Sequence, residues 1–358
     1  MKKLLMSIAI LTIFVTPLYA QEQQVESYKG TVEVINEVDC EEGLDEGYIC
    51  YTYKVYIKSL DQSVTTMVST LEQSSEAFKV GDSVYLTDMQ GLEGESMWGI
   101  TGYARGRSIL FWTLLFCLLI FLVGGKRSLG SIFSLILSFV VIYLFLIPRI
   151  VESSNILLFG YITVFVILTL GMYLAHGFRK LTTISLISTL IGIVVVSLLS
   201  WLLLNVLNIN GMGDESAFLL SSQMGGDINI QTLFLFSIIL GATGVLDDVV
   251  IGQVSSMYEI YDTNPKLTIS ELYRKTMNVG KEHVASMINT LFIVYAGSSL
   301  PLVVLMYMSN RDIGTLVSID MISEEIVRML TISTSLLLVV PISTYLSALF
   351  LKKDSSSQ

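Results

Sequence analysis

Seven long apolar stretches constrain the fold of this chain more than any other feature. They cover residues 108–125, 129–148, 155–175, 181–207, 231–251, 284–308 and 326–350. An α-helix needs about 20 apolar residues to cross a bilayer, and lipid offers the backbone no hydrogen-bond partner outside the helix. The sequence therefore predicts an α-helical polytopic membrane protein with seven transmembrane helices over residues 106–351, followed by a short cytoplasmic tail at residues 352–358.

The composition and the first residues support a membrane location. The chain is 53% hydrophobic and only 15% charged, whereas soluble proteins carry about a quarter charged residues. Residues 1–20 have the pattern of a secretory signal, because Lys2 and Lys3 precede an apolar core and a plausible cleavage point before Gln21. The alternative is an uncleaved anchor. Both interpretations place the following segment outside the cytoplasm.

Residues 21–105 are predicted to form a small extracytoplasmic β-barrel-like domain. Apolar and polar residues alternate over residues 49–58, and this period of two is typical of a half-buried strand. Short runs rich in β-branched residues at 31–35 and 63–69, and on both sides of Gly81, predict further strands. A segment of this length fits a compact β-barrel or a sandwich.

The same domain carries the acidity of the chain. Residues 21–105 contain 16 Asp and Glu against 5 Lys and Arg, a balance of −11 in a chain of net charge −10, so the remainder is close to neutral. Phosphate binding needs a basic face, so nucleic acid is not expected as a partner. The acidic loop at 39–48 lacks the ligand spacing of an EF-hand, and we expect a solvated loop, no metal and no cofactor.

The chain has three cysteines, Cys40, Cys50 and Cys117. Cys117 lies in an apolar stretch, where packing is its expected role. Cys40 and Cys50 flank a short exported loop, in which a disulfide is permitted. The sequence leaves open whether these two are bonded or are free thiols.

Basic residues in the loops predict the orientation. If residue 105 is outside, alternate loops fall inside, and these hold most of the Lys and Arg, whereas the opposite loops hold only Arg149 and Arg311. By the positive-inside rule the mature N-terminus is outside and the C-terminus is cytoplasmic. The expected location is the cell membrane, with the lipid bilayer as partner.

Two connecting segments carry their own signals. The loop 209–230 is rich in glycine with a short apolar middle, and a surface or half-buried helix is expected there. In the segment 262–283, Thr268 and Glu271 predict a capping box that begins a helix. Its apolar and basic faces are typical of a helix lying on the inner membrane surface. We expect Gly280 to end this helix before the sixth span.

The fifth span contains two adjacent carboxylates, Asp247 and Asp248. Small and acidic residues follow helical spacing along one narrow stripe: Gly241, Gly244, Asp248, Gly252, Ser255 and Glu259. Small residues let a neighbouring helix or an ion approach closely, so the stripe predicts a place where Asp248 meets a partner or a ligand. Asp247 instead shares its side with bulky residues, Ile251, Val254 and Tyr258.

The sixth span offers polar groups that would suit a carboxylate. Asn289 and Thr290 lie on one face, with Gly297 a few turns further along as a candidate packing glycine. Carboxylates, an amide and hydroxyls suit a proton or a hard cation. His283 is a candidate proton relay, with an ordinary interfacial histidine as the alternative. Small and polar residues on membrane helices also serve packing alone, and this alternative stays open for the whole set.

These two stretches resemble a known family. GATGVLDDVVIGQVSSMYEI and KEHVASMINTLFIVYAGSSLPL are similar to the signature segments of the YibE/F family of bacterial multi-span membrane proteins. The resemblance implies that the family aspartate falls on Asp248 and the family glutamate on Glu259. Asp247 stands where the family more often has an apolar residue, and His283 stands where a carboxylate is common. The family has no assigned substrate.

The sequence supports two functional hypotheses. The first is a secondary transporter or permease that binds a small ion, a proton or a solute through Asp248, Glu259, Asn289 and Thr290, with Ser255 and Asp247 nearby. The second is a non-transporting sensor or scaffold whose exported domain binds a protein partner, or an oligomer.

We do not expect an enzyme. The aspartates do not follow the paired motifs of an intramembrane aspartyl protease, and no nucleotide-binding loop is present in the sequence, so transport by this chain would not be driven by ATP.

Overall fold

A computed structural model describes residues 26–38, 40, 48–71, 78–90, 96–125, 128–152, 155–309 and 312–355. The chain divides into two compact units, with the boundary between Leu122 and Val123. The predicted signal at residues 1–20, and the basic residues Lys126, Arg127 and Arg311, lie outside the described residues.

The first unit contains a five-stranded antiparallel sheet. Its strands are β1 (Ser27–Val38), β2 (Tyr48–Ile57), β3 (Gln62–Leu71), β4 (Ser83–Gln90) and β5 (Ser96–Tyr103). The order across the sheet is β3-β2-β1-β4-β5. The hydroxyl of Thr66 on β3 donates a hydrogen bond to the carbonyl of Trp98 on β5, which draws the two edge strands together. The sheet is thus curled as a half-barrel, not stacked as a sandwich.

The core of this sheet follows the alternation in the sequence. Tyr53, Val55 and Ile57 on β2 are fully buried, while Lys54 and Lys58 are exposed. A Cβ at Gly30 would lie 2.5 Å from Val55 Cγ1, so β1 needs glycine where it crosses the core. The predicted half-buried strand is confirmed, because water on one side of a sheet selects polar residues for that side.

Cys40 and Cys50 form a disulfide, which the sequence had left open. Cys50 is fully buried, and its backbone pairs with Val38 at the end of β1. The bond therefore ties together the ends of two strands that are already neighbours. Cys117 is a free cysteine.

The first helix, α1 (Gly106–Gly124), follows β5 in the chain. None of its residues is buried, and its mean hydropathy of 2.2 and its length of 19 residues meet the requirements of a membrane span.

The second unit is a bundle of helices. They are α2 (Ser128–Val141), a π-helical turn (Ile142–Leu146), α3 (Ile147–Val151), α4 (Ile156–His176), α5 (Lys180–Val206), α6 (Glu215–Gln223), α7 (Ile230–Thr263), α8 (Ile269–Ser298), α9 (Leu300–Met308), α10 (Ile313–Val317) and α11 (Asp320–Ser355). The segments α2, the π-helical turn and α3 together form one span-length helix.

The described residues contain six helices long and apolar enough to cross a membrane, or seven if a bent pair is one span. The bent pair is α8 and α9, which meet at 67° around Ser299 and correspond to the predicted sixth span. The capping box of Thr268 and Glu271 is confirmed at the start of α8. The expectation that Gly280 ends that helix is wrong, because α8 runs through Gly280 without a break.

Three helices, α5, α7 and α11, contact one another and form the centre of the bundle. A Cβ at Gly192 of α5 would lie 3.3 Å from Leu246 on α7 and 3.1 Å from Val339 on α11. Lipid is as apolar as these side chains, so close packing holds such helices together. Gly192 is therefore a point of close contact among the three helices, and it places Leu246 and Val339 at its own level in the bundle.

Outer helices pack on this centre through other glycines. Gly160 of α4 faces the ring of Phe236 on α7, and Gly130 of α2 lies against the backbone of Leu174 on α4, with no room for a Cβ at either position. α8 contacts both α7 and α11.

Candidate functional site

The small-residue stripe of α7 lies on the outside of the bundle. Gly241, Gly244, Asp248, Gly252 and Glu259 are exposed, and Ser255 is half-buried. No atom of the described chain would come within 4 Å of a Cβ at Gly244 or Gly252. Among the described residues, nothing packs on Gly244 or Gly252, whereas a Cβ at Gly241 would lie 3.9 Å from Ile332 Cδ1.

The predicted partners on α8 are exposed as well. Asn289, Thr290 and Gly297 lie on the surface, and a Cβ at Gly297 would meet nothing within 4 Å. The hydroxyl of Thr290 donates to the carbonyl of Ser286 in its own helix. The α8 face is thus available to a ligand or a partner, but it does not enclose the stripe of α7.

The two aspartates occupy different environments. Asp248 is exposed, and His176 at the end of α4 lies within its electrostatic range. Asp247 is half-buried, and its Oδ1 is buried without a hydrogen-bond partner among the described residues. Asp247 does share a side with the buried Val254, as the spacing predicts. In this bundle that side is the interior. His283, the other candidate relay, is exposed on α8.

α5, which packs against α7, carries a row of buried hydroxyl groups. Thr182, Ser185, Ser188 and Thr189 are fully buried, and their hydroxyl oxygens have no hydrogen-bond partner in the described part of the chain. Three of them continue the spacing that leads to Gly192, so they lie on the face that meets α7 at Leu246. Ser188 and Thr189 lie within about one turn of Gly192 and so close to the level of Asp247, the residue after Leu246, whereas Thr182 lies about 15 Å further along α5.

A further hydroxyl belongs to the same region. Thr169 of α4 has a buried Oγ1 that is also unpartnered. Gly160 meets Phe236 nearer the N-terminus of α7, and from that contact Thr169 and Asp247 lie at comparable distances along their helices. We call Asp247, Thr169, Thr182, Ser185, Ser188 and Thr189 the polar cluster.

Buried hydroxyls on α11 behave differently. Thr331, Ser335 and Ser347 each donate to the carbonyl four residues earlier, at 2.6 to 2.7 Å. This return to the backbone is the ordinary solution for Ser and Thr within a helix. On α5, Ser197 also donates to the carbonyl four residues earlier. Thr182, Ser185, Ser188 and Thr189 make no such bond in the described part of the chain.

Sequence reasoning missed a second buried polar contact, at Gln253. Its Nε2 donates to the hydroxyl of Thr344 at 2.8 Å and to the carbonyl of Thr276 at 3.1 Å, and so joins α7, α11 and α8. A Cβ at Gly280 would lie 2.6 Å from this amide, so only glycine at this position leaves room for the Gln253 side chain. The available signal was a glutamine among apolar residues on the side of α7 away from the stripe.

A third polar group lies near the start of α11. The carboxylate of Glu324, only 4% exposed, accepts a hydrogen bond from the N–H of Gly213 at 2.9 Å. Arg328 donates to Glu325 at 2.8 Å, and its guanidinium lies 5.2 Å from the centre of the Phe234 ring. These contacts connect α11 with α7 and with the segment before α6.

The fold and the site define a class: a polytopic helical membrane protein with a small β domain, whose bundle keeps a carboxyl and several hydroxyls in its interior. The model of the YibE/F-like protein family matches residues 112–353. Since this match covers more than half of the chain, the protein belongs to the YibE/F family. The matched region begins within α1, after the β domain, and ends at residue 353, close to the end of α11. No curated protein and no solved structure gives a significant match.

Proposed function

We propose that this protein is a secondary transporter or permease that couples to a proton or a small hard cation, and that the polar cluster is its binding site. The observation that carries the proposal is the buried, unpartnered Oδ1 of Asp247 on α7, together with a row of unpartnered hydroxyls on α5, the helix in contact with α7. The site is thus moved from the predicted Asp248 and Glu259 to the other side of the same helix.

The physical argument is one of cost. Every unsatisfied polar group in a lipid environment costs several kcal/mol, and ionisable residues inside membranes are rare unless a function retains them. A bundle held together by packing alone would become more stable if apolar residues replaced these groups. Their retention therefore supports an occupant, such as a proton on Asp247, water or a hard cation, that satisfies them part of the time.

The break between α8 and α9 also supports transport. Discontinuous helices are a recurrent feature of secondary transporters, because a break in a span lets two parts of the bundle move separately. The break at Ser299 is followed by Pro301, which lacks the N–H needed to continue the α8 hydrogen-bond pattern. The N-terminal half of α8 is attached to α7 and α11 through Gln253. The C-terminal end of α8, at the break, lies outside this contact.

In this mechanism Asp247 binds the coupled ion. With a proton, its carboxylate becomes neutral and its desolvation cost falls; with a cation, the hydroxyls of Ser185, Ser188 and Thr189 supply further oxygens. Release of the ion leaves Asp247 as a charged carboxylate, and a charged carboxylate is more stable in a conformation that water can reach. Such a cycle links ion binding to the opening of the bundle without ATP.

The test is proton flux in proteoliposomes that contain the purified protein, driven by an imposed pH gradient and followed with an entrapped pH-sensitive dye. We expect Asp247→Asn to reduce the flux about tenfold or more, because it removes the carboxyl that binds the proton. Asp248→Asn is the matched control, with the same chemical change on the exposed side, and should retain most of the flux. A folded Asp247→Asn protein with undiminished flux would rule out this site.

The second candidate, a non-transporting sensor or scaffold, has its own supporting observation. The stripe of α7 presents carboxylates and glycines that nothing in the described chain covers. A partner helix or a second copy would satisfy them. Thiol-directed cross-linking of a Gly252→Cys variant in native membranes tests this: a discrete cross-linked species together with absence of flux in the wild type favours the scaffold.

A further inference from the structure

The segment between α5 and α7 forms a strap across one end of the bundle. It includes α6, which has no buried residue. Phe218 and Leu219 on this helix are 63% and 50% exposed, and only Ala217, Leu220 and Met224 pack partly against the core. An element with so few buried contacts belongs to the low-stability part of a fold.

Both ends of the strap contain residues with positive φ values. Asn208 and Gly211 have φ values of 53° and 83° at one end, and Gly225 and Gly226 have φ values of 60° and 85° at the other. Glycine reaches this region at little cost and changes conformation readily, because it has no Cβ. The Gly225–Gly226 pair has open space around it, whereas Gly211 packs against α7, where a Cβ would lie 2.8 Å from Phe234 Cβ. The strap thus consists of a short helix with a hinge at Gly225–Gly226 and a packed attachment at Gly211.

Ile209 and Ile228 anchor the two ends of the strap in the core, and one buried carboxylate on α11 holds the part between them. Glu324 accepts a hydrogen bond from the N–H of Gly213, and a Cβ at Gly213 would lie 2.7 Å from the backbone nitrogen of Met321. The strap therefore sits directly on the α11 backbone at this point. A second contact, from Gln231 Nε2 to the carbonyl of Ile209 at 2.7 Å, lies next to the attachment at Gly211.

The stiff part of the strap begins beside this contact. Asp214 caps α6 by accepting hydrogen bonds from the hydroxyl and the N–H of Ser216, and these bonds hold the pKa of Asp214 below its ordinary value. α6 consequently keeps its cap at neutral pH. Movement at the Gly225–Gly226 hinge would displace α6 as one piece.

We propose that the strap is a movable lid over this end of the bundle and that Glu324 is the latch that holds it closed. The inference extends the proposed transport function, since a lid controls entry to a site in the bundle from one side. A buried carboxylate that accepts from the backbone suits a latch, because its bond to the strap is strong when shielded from water and weak once water enters.

The experiment measures strap opening through a thiol placed under α6. Leu220→Cys is introduced in a Cys117→Ser background, and its reaction with a maleimide is timed in detergent. Glu324→Ala should raise the labelling rate about tenfold or more, because a buried hydrogen bond to a charged group is lost. Glu324→Gln keeps one acceptor oxygen and should fall between. Glu325→Ala is the matched control, since Glu325 bonds to Arg328 and should leave the rate unchanged.

A second reporter separates lid opening from general unfolding. Ser347→Cys lies fully buried near the other end of α11 and should stay unlabelled in every latch variant. Equal labelling of Leu220→Cys with and without Glu324→Ala overturns the latch, and so does simultaneous labelling of Ser347→Cys. The assay needs neither substrate nor gradient, so the lid and the transport function stand or fall separately.

Discussion

The two sides of α7 differ in burial, and the sequence of the helix does not show which side is buried. The exposed side carries Gly241, Gly244, Asp248, Gly252 and Glu259, a pattern that suggests close packing. The buried side carries larger residues, among them Leu246, Gln253 and Met257, and makes the contacts with α4, α5 and α11. Small residues on a membrane helix thus permit close packing but do not show where packing occurs within the chain.

The largest expected effect on stability comes from introducing a leucine on each side. Ala242 is fully buried, and Ala242→Leu should destabilise the protein by about 1–3 kcal/mol through overpacking. Gly244→Leu has open space around it and replaces glycine by a good helix former, so it should be neutral or stabilising by up to about 1 kcal/mol. Thermal unfolding in detergent measures both, and equal losses would show that the two sides do not differ as described.

A smaller effect is expected from polar groups. Gln253→Ala removes the amide that joins α7 to Thr344 and Thr276, which should cost about 1–2 kcal/mol and loosen α8. Ser255→Ala, on the stripe, is the control and should change stability by less than about 0.5 kcal/mol. Hydrogen exchange of the α8 amides provides the local measurement. Unchanged exchange in Gln253→Ala would mean that this contact does not hold α8.

The smallest effect is expected at the exposed carboxylates. Asp248→Asn and Glu259→Gln should leave the melting temperature of the isolated protein nearly unchanged, because surface substitutions away from specific contacts stay within about 0.5 kcal/mol. In native membranes the same variants should weaken the binding of any partner that covers the stripe. A large loss of stability in detergent, before any partner is present, would contradict the exposed placement.

Much of the fold was predictable. The seven apolar stretches correspond to helices, the capping box at Thr268 is present, and the alternation in β2 identifies its buried face. The predictions failed where they concerned the ends and bends of helices and the burial of individual residues. Gly280 does not end α8, because Gln253 uses the space that its missing side chain leaves. The bend at Ser299 was hidden inside an apolar stretch of the expected length.

The candidate site was less predictable than the fold. The stretch with Asp247 and Asp248 was singled out correctly as unusual, and the resemblance to the YibE/F family is confirmed by the family match. The choice between the two aspartates depended on which side of α7 faces inward. The hydroxyls of α5 were not singled out, because serine and threonine are common in membrane helices and only their missing partners distinguish these.

The sequence by itself determined the apolar spans, most of the strands, the membrane class and the family; it missed β5 and predicted a strand just before Gly81 that is absent. The tertiary structure alone decided that Asp247 is the inward carboxylate, that Gly192 and Gly280 are the packing glycines, and that Glu324 holds the strap. The physical reason is the solvent. Water around the β domain selects polar residues for its outer face, so pattern reveals burial there. Lipid is as apolar as a protein interior, so a helix in a bilayer can turn either face inward with little change in hydrophobicity.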